Sequence, residues 1–205
     1  MSYESILPEG YQKVEPPPSE KGPVNVFISV QIYDIYGVNE ESMDFYLHIY
    51  VTDIWEDSRL LVDCVTSEKS VKLPDNIVKL IWMPDIYFEN TKSGTLFSTT
   101  VPNTIVKILP DKSILRNARY LLQVSCAMNL KDYPMDRQIC HLRTGLYSHS
   151  DNEVYIQWTK ESRGRYDWIP SVKLIGGDEL PEYKLVEVVP ETQVVAWTLG
   201  RTTLM

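Results

Sequence analysis

The stretch Cys126–Cys140, CAMNLKDYPMDRQIC, sets two cysteines around thirteen residues that carry charge and a Tyr133–Pro134 step. Three readings are open for such a loop: a structural staple, a redox switch, or a moving part. Its length suits a bridge, since closing a loop of this size stabilises a folded chain by about 3 kcal/mol in the chain-entropy account. The spacing therefore predicts a Cys126–Cys140 disulfide. An aromatic residue before proline favours a cis bond and a tight bend. The third cysteine, Cys64, lies in the apolar run RLLVDCV and reads as a buried core thiol. There is no C-x2-C pair, and His48, His141 and His149 show no ligand spacing, so no metal site is expected.

Outward from this loop the chain reads as strands. VNVFISVQIYDIY at 24 to 36 is β-branched and aromatic with period-two alternation. In MDFYLHIYVTDIW, 43 to 55, Phe45, Leu47, Ile49 and Val51 fall on one face and Tyr46, His48, Tyr50 and Thr52 on the other. GVNEES is the turn between them, and its Glu40 and Glu41 read as solvated charge. Further strands are expected at IVKLIW, LFSTTV, TIVKIL, ARYLLQVSC, CHLRTGLY, EVYIQW, YKLVEVV and TQVVAW, with a turn at LPDKSI. The first dozen residues predict a short helix capped by Ser2 or Ser5, followed by the extended, Pro-rich KVEPPPSEKGP. The expected fold is all-β: an antiparallel β-sandwich of about ten strands with a short N-terminal helix, one domain over residues 1–205. An ordinary immunoglobulin domain fits poorly, because its cysteines lie far apart around a central Trp.

Composition narrows the function. A hydrophobic content of 43% in 205 residues is enough for a sizeable core. No run approaches the length of a membrane-spanning helix, and MSYESILPEG has neither a basic start nor an apolar run to suggest a signal peptide. A net charge of -8 argues against nucleic acid and mildly favours a cationic partner. No G-x-S-x-G, Walker loop, H-E-x-x-H or Gly-rich dinucleotide turn is present, so no catalytic residue and no cofactor are expected.

The loop with its internal Tyr133-Pro134-Met135-Asp136, and Trp82-Met83-Pro84-Asp85 upstream of it, resembles the Cys-loop family of pentameric ligand-gated ion channels. PVNVFISVQIYDI, MDFYLHIYVTDIWEDSRL and EVYIQW fall in that family's order, so the resemblance covers nearly the whole chain. CAMNLKDYPMD and PVNV are closest to the anion-channel branch of glycine, GABA and glutamate receptors. The resemblance implies the extracellular domain of a receptor at the plasma membrane. It would assemble as a homo- or hetero-pentamer, bind a small amine or amino-acid agonist between subunits, and be followed by the transmembrane domain of a chloride channel. On that account the chain ends within its last strand. The other reading is a secreted, soluble ligand-binding protein of the same fold with no channel. In the receptor reading Tyr133, Pro134 and Met135 form an apolar tip that passes ligand binding on to the membrane domain.

The resemblance also implies a site. Tyr87, Tyr147 and Trp197 match the aromatic box on one subunit. Tyr50, Thr52, Leu115, Asn117 and Arg119 match the strand surface of the next. Two departures bear on the ligand: Thr52 stands where amino-acid receptors usually carry an Arg for the carboxylate, and Gly145 where they often carry an acid. Ring faces attract a cationic amine, and the missing carboxylate clamp favours amines over amino acids.

Overall fold

A computed structural model describes residues 6–19, 22–61, 70–178, 180, 183–197 and 200–205. Cys64, Ser2 and Ser5 lie outside the described residues. Residues 2–5 of the predicted N-terminal helix lie outside them too; the rest of it, Ile6 to Gln12, is described and forms a tight turn, a bend and irregular backbone rather than an α-helix. The described chain is nearly all strand. β1 (Val24–Asn39) and β2 (Asp44–Trp55) form a long antiparallel hairpin, and β7 (Ile114–Ser125) runs antiparallel along the other edge of β2. β5 (Thr91–Leu96) and β6 (Thr104–Ile108) both pair with β7, and β3 (Val71–Lys72) closes that edge against β6. At the opposite edge β1 takes β9 (Val154–Trp158) and β10 (Val172–Leu174) in parallel, where the sequence predicts antiparallel pairing throughout. These strands reach β1 by long crossovers rather than hairpins, so no tight turn dictates their direction.

A second layer holds β4 (Ile86–Phe88) paired to β8 (Thr144–Leu146) and β11 (Gln193–Trp197) paired to β12 (Gly200–Leu204). Reciprocal backbone bonds between Thr144 and Met205, 3.1 and 2.8 Å, set the end of β12 alongside β8. Between the layers lies one apolar cluster. Val24, Val26, Ile28, Val30 and Ile32 enter it from β1, and Phe45, Leu47, Ile49 and Val51 from β2, with the alternation read in the sequence. Leu146, Ile86, Phe88 and Met205 enter it from the second layer. A satellite cluster of Ile54, Leu115, Tyr166 and Ile169 lies on the outer face of the large sheet.

Three predicted strands are not strands. IVKLIW contains the short helix α1 (Asp75–Val78), with Ile77 and Ile81 both buried. Their spacing of four is helical, and Pro74 with Asp75 forms the start of the turn. LFSTTV leaves β5 at Leu96. YKLVEVV has a single bridge residue, Lys184, and its Val186 and Val189 are exposed.

Candidate functional site

In the second layer, β4 places Ile86 and Phe88 against the core and Tyr87 on the opposite side, its Cα paired with Gly145 of β8. The Tyr87 and Tyr147 rings meet edge to face at 5.8 Å, and Tyr147 is 81% exposed. Burial, then Glu89, pushes the Tyr87 phenol above its ordinary range. Asp85 fixes this pair. Its backbone carbonyl accepts from Tyr147 N at 3.1 Å, and its Oδ2 accepts from Ser148 N at 2.7 Å and from Ser148 Oγ. Thr144 Oγ1 adds a 2.9 Å bond to the Tyr87 carbonyl. The Pro84 carbonyl accepts from Arg116, whose Nε is 3.0 Å from Asp53 in a buried ion pair. The Trp82-Met83-Pro84-Asp85 tract is thus anchored from behind and holds two tyrosines in front. Trp197 lies in β11, and its side chain is outside the description.

Gly145 has a packing reason. A Cβ built there would meet Leu204 Cδ2 at 2.8 Å, the Thr203 carbonyl at 3.2 Å and Tyr87 Cε1 at 3.4 Å. Any larger side chain there requires the end of Leu204 to move and the Thr203 carbonyl to give by a few tenths of an ångström.

The other predicted residues lie on the outer face of the large sheet. Tyr50 pairs with Arg119 and Thr52 with Asn117 across β2 and β7. Asn117 Nδ2 donates to Thr52 Oγ1 at 2.7 Å, so the nearly buried Thr52 is already partnered. The Arg119 guanidinium lies 4.1 Å from the Phe97 centroid, 5.1 Å from Tyr33 and 5.4 Å from Tyr50. Its Nε donates to His48 Nε2. No carboxylate pairs with it among the described residues. Leu115 is apart from this group: it is 9% exposed and packs with Ile54, Tyr166 and Ile169.

Three residues of this face were not singled out from the sequence: Tyr33, His48 and Phe97. His48 was legible, since alternation sets it beside Tyr50 and Thr52. Alternation also sets Tyr33 outward, since Val30 and Ile32 face the core, and the register shift between Ile32 and Asp34 turns Asp34 outward beside it. Phe97 is placed only by long-range pairing, its N–H donating to the Arg119 carbonyl at 2.8 Å.

The loop completes the picture. Cys126 and Cys140 are bonded, with Cα atoms 5.2 Å apart. The Tyr133–Pro134 bond is cis, and Tyr133 and Met135 are 66% and 89% exposed. Asn129 and Gln138 clasp the loop through two 2.9 Å bonds. The neurotransmitter-gated ion-channel ligand binding domain, as a family, matches residues 2–194.

The chain belongs to that family. It is a family of channel receptors rather than of enzymes.

Relatives within it include a bovine gamma-aminobutyric acid receptor subunit rho-2, 30% identical over 142 residues that make up 69% of this chain and 30% of the relative. A glutamate-gated chloride channel of Drosophila melanogaster is 33% identical over 67% of this chain and 30% of its own length. A chicken gamma-aminobutyric acid receptor subunit beta-4 is 27% identical over 95% of this chain and 38% of its own length. The matched stretch is thus 30–38% of each relative, one of them a chloride channel.

Proposed function

We propose that the chain is the extracellular ligand-binding domain of a pentameric channel subunit, on the outer face of the plasma membrane, and that a small amine or amino acid binds between two copies. One observation carries the interface. Tyr87 and Tyr147 project from the outer side of the second layer, whereas Tyr50 and Arg119 project from the outer side of the large sheet. The core lies between them, so a ligand that touches both sets must sit between two molecules. Trp197 completes the tyrosine side by resemblance. The exposed tip Tyr133–Met135 supports a docking role toward the membrane domain, since exposed apolar tips mark contacts.

The relatives' names supply two amino acids, gamma-aminobutyric acid and glutamate. Both carry an ammonium, which suits ring faces, and a carboxylate, which suits an arginine fork. Among the described residues no acid competes for Arg119, but Thr52 offers no second cation, so the ammonium contact carries more of the affinity than in a site with two arginines. Titration calorimetry with gamma-aminobutyrate and with butylamine, which keeps the ammonium and lacks the carboxylate, tests this. Tyr147→Ala weakens both by about ten-fold or more, the loss of about 1.4 kcal/mol. Tight binding that ignores Tyr147→Ala sinks the assignment.

A further inference from the structure

The Arg119 face holds a titratable group that the ligand reading leaves unused. His48 is 9% exposed, stacked on Phe97 with centroids 5.2 Å apart and tilted against Tyr33 at 5.1 Å. Its Nε2 accepts from Arg119 Nε. A ring nitrogen that accepts carries no proton, so the hydrogen of this neutral imidazole is on Nδ1. Arginine does not give up its charge in this pH range. The contact therefore exists only while His48 is neutral.

A guanidinium presents its donors in a planar fork. Here one face lies over Phe97, and His48 takes Nε. The two terminal nitrogens are what remains for a planar anion. Without His48 the guanidinium can turn about its long side chain and offer either edge, and the entropy of that freedom opposes capture.

We propose that His48 is a positioning residue: as a neutral acceptor it holds Arg119 so that the terminal nitrogens meet a ligand carboxylate, and its protonation undoes that hold. This rests on the reading of the Arg119 face as one half of an interface site. Protonated, His48 sets a donor against a donor and a charge against a charge.

The groups around His48 give the direction of its titration. From β7 comes Arg119. From β1 come Asp34, paired with His48 in register, and Tyr33. β2 itself contributes Tyr46 and Tyr50 on the same face, and the segment after β5 contributes the uncharged Phe97. Burial, then Arg119, pushes the imidazole below its ordinary value of 6.5, and Asp34 pulls it back. The hold is intact above 6.5 and is lost as pH falls through that lowered value.

Two measurements decide it. The first, nitrogen NMR on the chain alone, follows the His48 ring and the Arg119 Nε–H from about pH 7.5 down to about pH 4.5. Both should move with one midpoint below that of an ordinary histidine, and Arg119→Gln should raise the His48 midpoint. An Arg119 Nε–H that ignores the His48 titration overturns the proposal. The second is calorimetry with gamma-aminobutyrate, whose carboxylate stays mostly ionised down to about pH 5. Wild-type affinity should fall as pH drops through the His48 midpoint that the NMR gives, and His48→Gln, with a carbonyl acceptor that never charges, should stay within about two-fold over the same range. The same pH dependence in both proteins overturns it. Coincident NMR titrations with no gamma-aminobutyrate binding at any pH uphold the His48–Arg119 hold and count against the ligand reading instead.

Discussion

Gly145 shows how packing can decide what stands at a position that resemblance assigns to a ligand site. Related receptors often place an acid at this position, and the absence of one here could be taken as a statement about the agonist alone. The space around it makes it also a statement about packing, since β12 runs against the missing Cβ. Gly145→Ala should lower stability by about 1–3 kcal/mol, the ordinary cost of overpacking. Thermal unfolding reads this as about 2–4 °C per kcal/mol for a chain of this size. A variant as stable as wild type would show that Leu204 yields freely, and an acid could then be tolerated. Thr52 is a similar case: its hydroxyl is occupied by Asn117, so Thr52→Arg must displace that bond before it can offer a second cation to a carboxylate.

The closed loop is the element whose contribution can be isolated. The Cys126–Cys140 bridge joins the buried Cys126, just after β7, to the approach to β8, with Cys126 N donating to the Met43 carbonyl at 2.9 Å. Replacing both cysteines by serine should cost about 3 kcal/mol through the freer unfolded chain, read as a fall of about 6–12 °C in the unfolding midpoint. The apolar tip makes few contacts within the chain, so Met135→Ser should leave that midpoint unchanged. A large loss of stability in Met135→Ser would mean that the tip packs within the domain rather than awaiting a neighbour.

Two behaviours belong to the whole molecule. The first is acid sensitivity, which should come in two windows. His48 titrates below its ordinary 6.5, so the stability that its neutral form contributes is present above 6.5 and is lost as pH falls through the depressed value. Asp44 is held below its ordinary 3.8, first by the bond from Lys92, and Glu40 below its ordinary 4.5 by the Tyr183 hydroxyl. Stability from these carboxylates is intact above those ordinary values and is lost only below them. In unfolding midpoints followed against pH, His48→Gln should remove the first decline and Asp44→Asn should reduce the second. If Asp44→Asn instead changed the slope above pH 6.5, the assignment of windows would be wrong. The second behaviour is assembly. If the proposed site is divided between opposite faces, each copy needs a neighbour, and a pentameric ring would appear in light scattering at rising concentration as species consistent with five copies. A stable dimer with nothing larger at any concentration would count against the interface.

Local patterns determined much of this protein. Alternation along residues 24–32 and 45–51 is enough to name the core, because a strand has only two faces and water selects between them. The loop from Cys126 to Cys140 declared its own closure by its length. The same short-range logic failed at IVKLIW, where an apolar run fits a helical turn as well as a strand, and at YKLVEVV, where among the described residues only Lys184 forms a bridge and Val186 and Val189 stay exposed. What only tertiary structure decided is the company each side chain keeps. The parallel docking of β9 and β10 on β1, the Arg116–Asp53 pair behind Pro84, and the three rings around Arg119 all join residues far apart in the chain. No local preference encodes such meetings. They follow from the way two layers close over one core, and that closure sets His48, rather than a carboxylate, against Arg119.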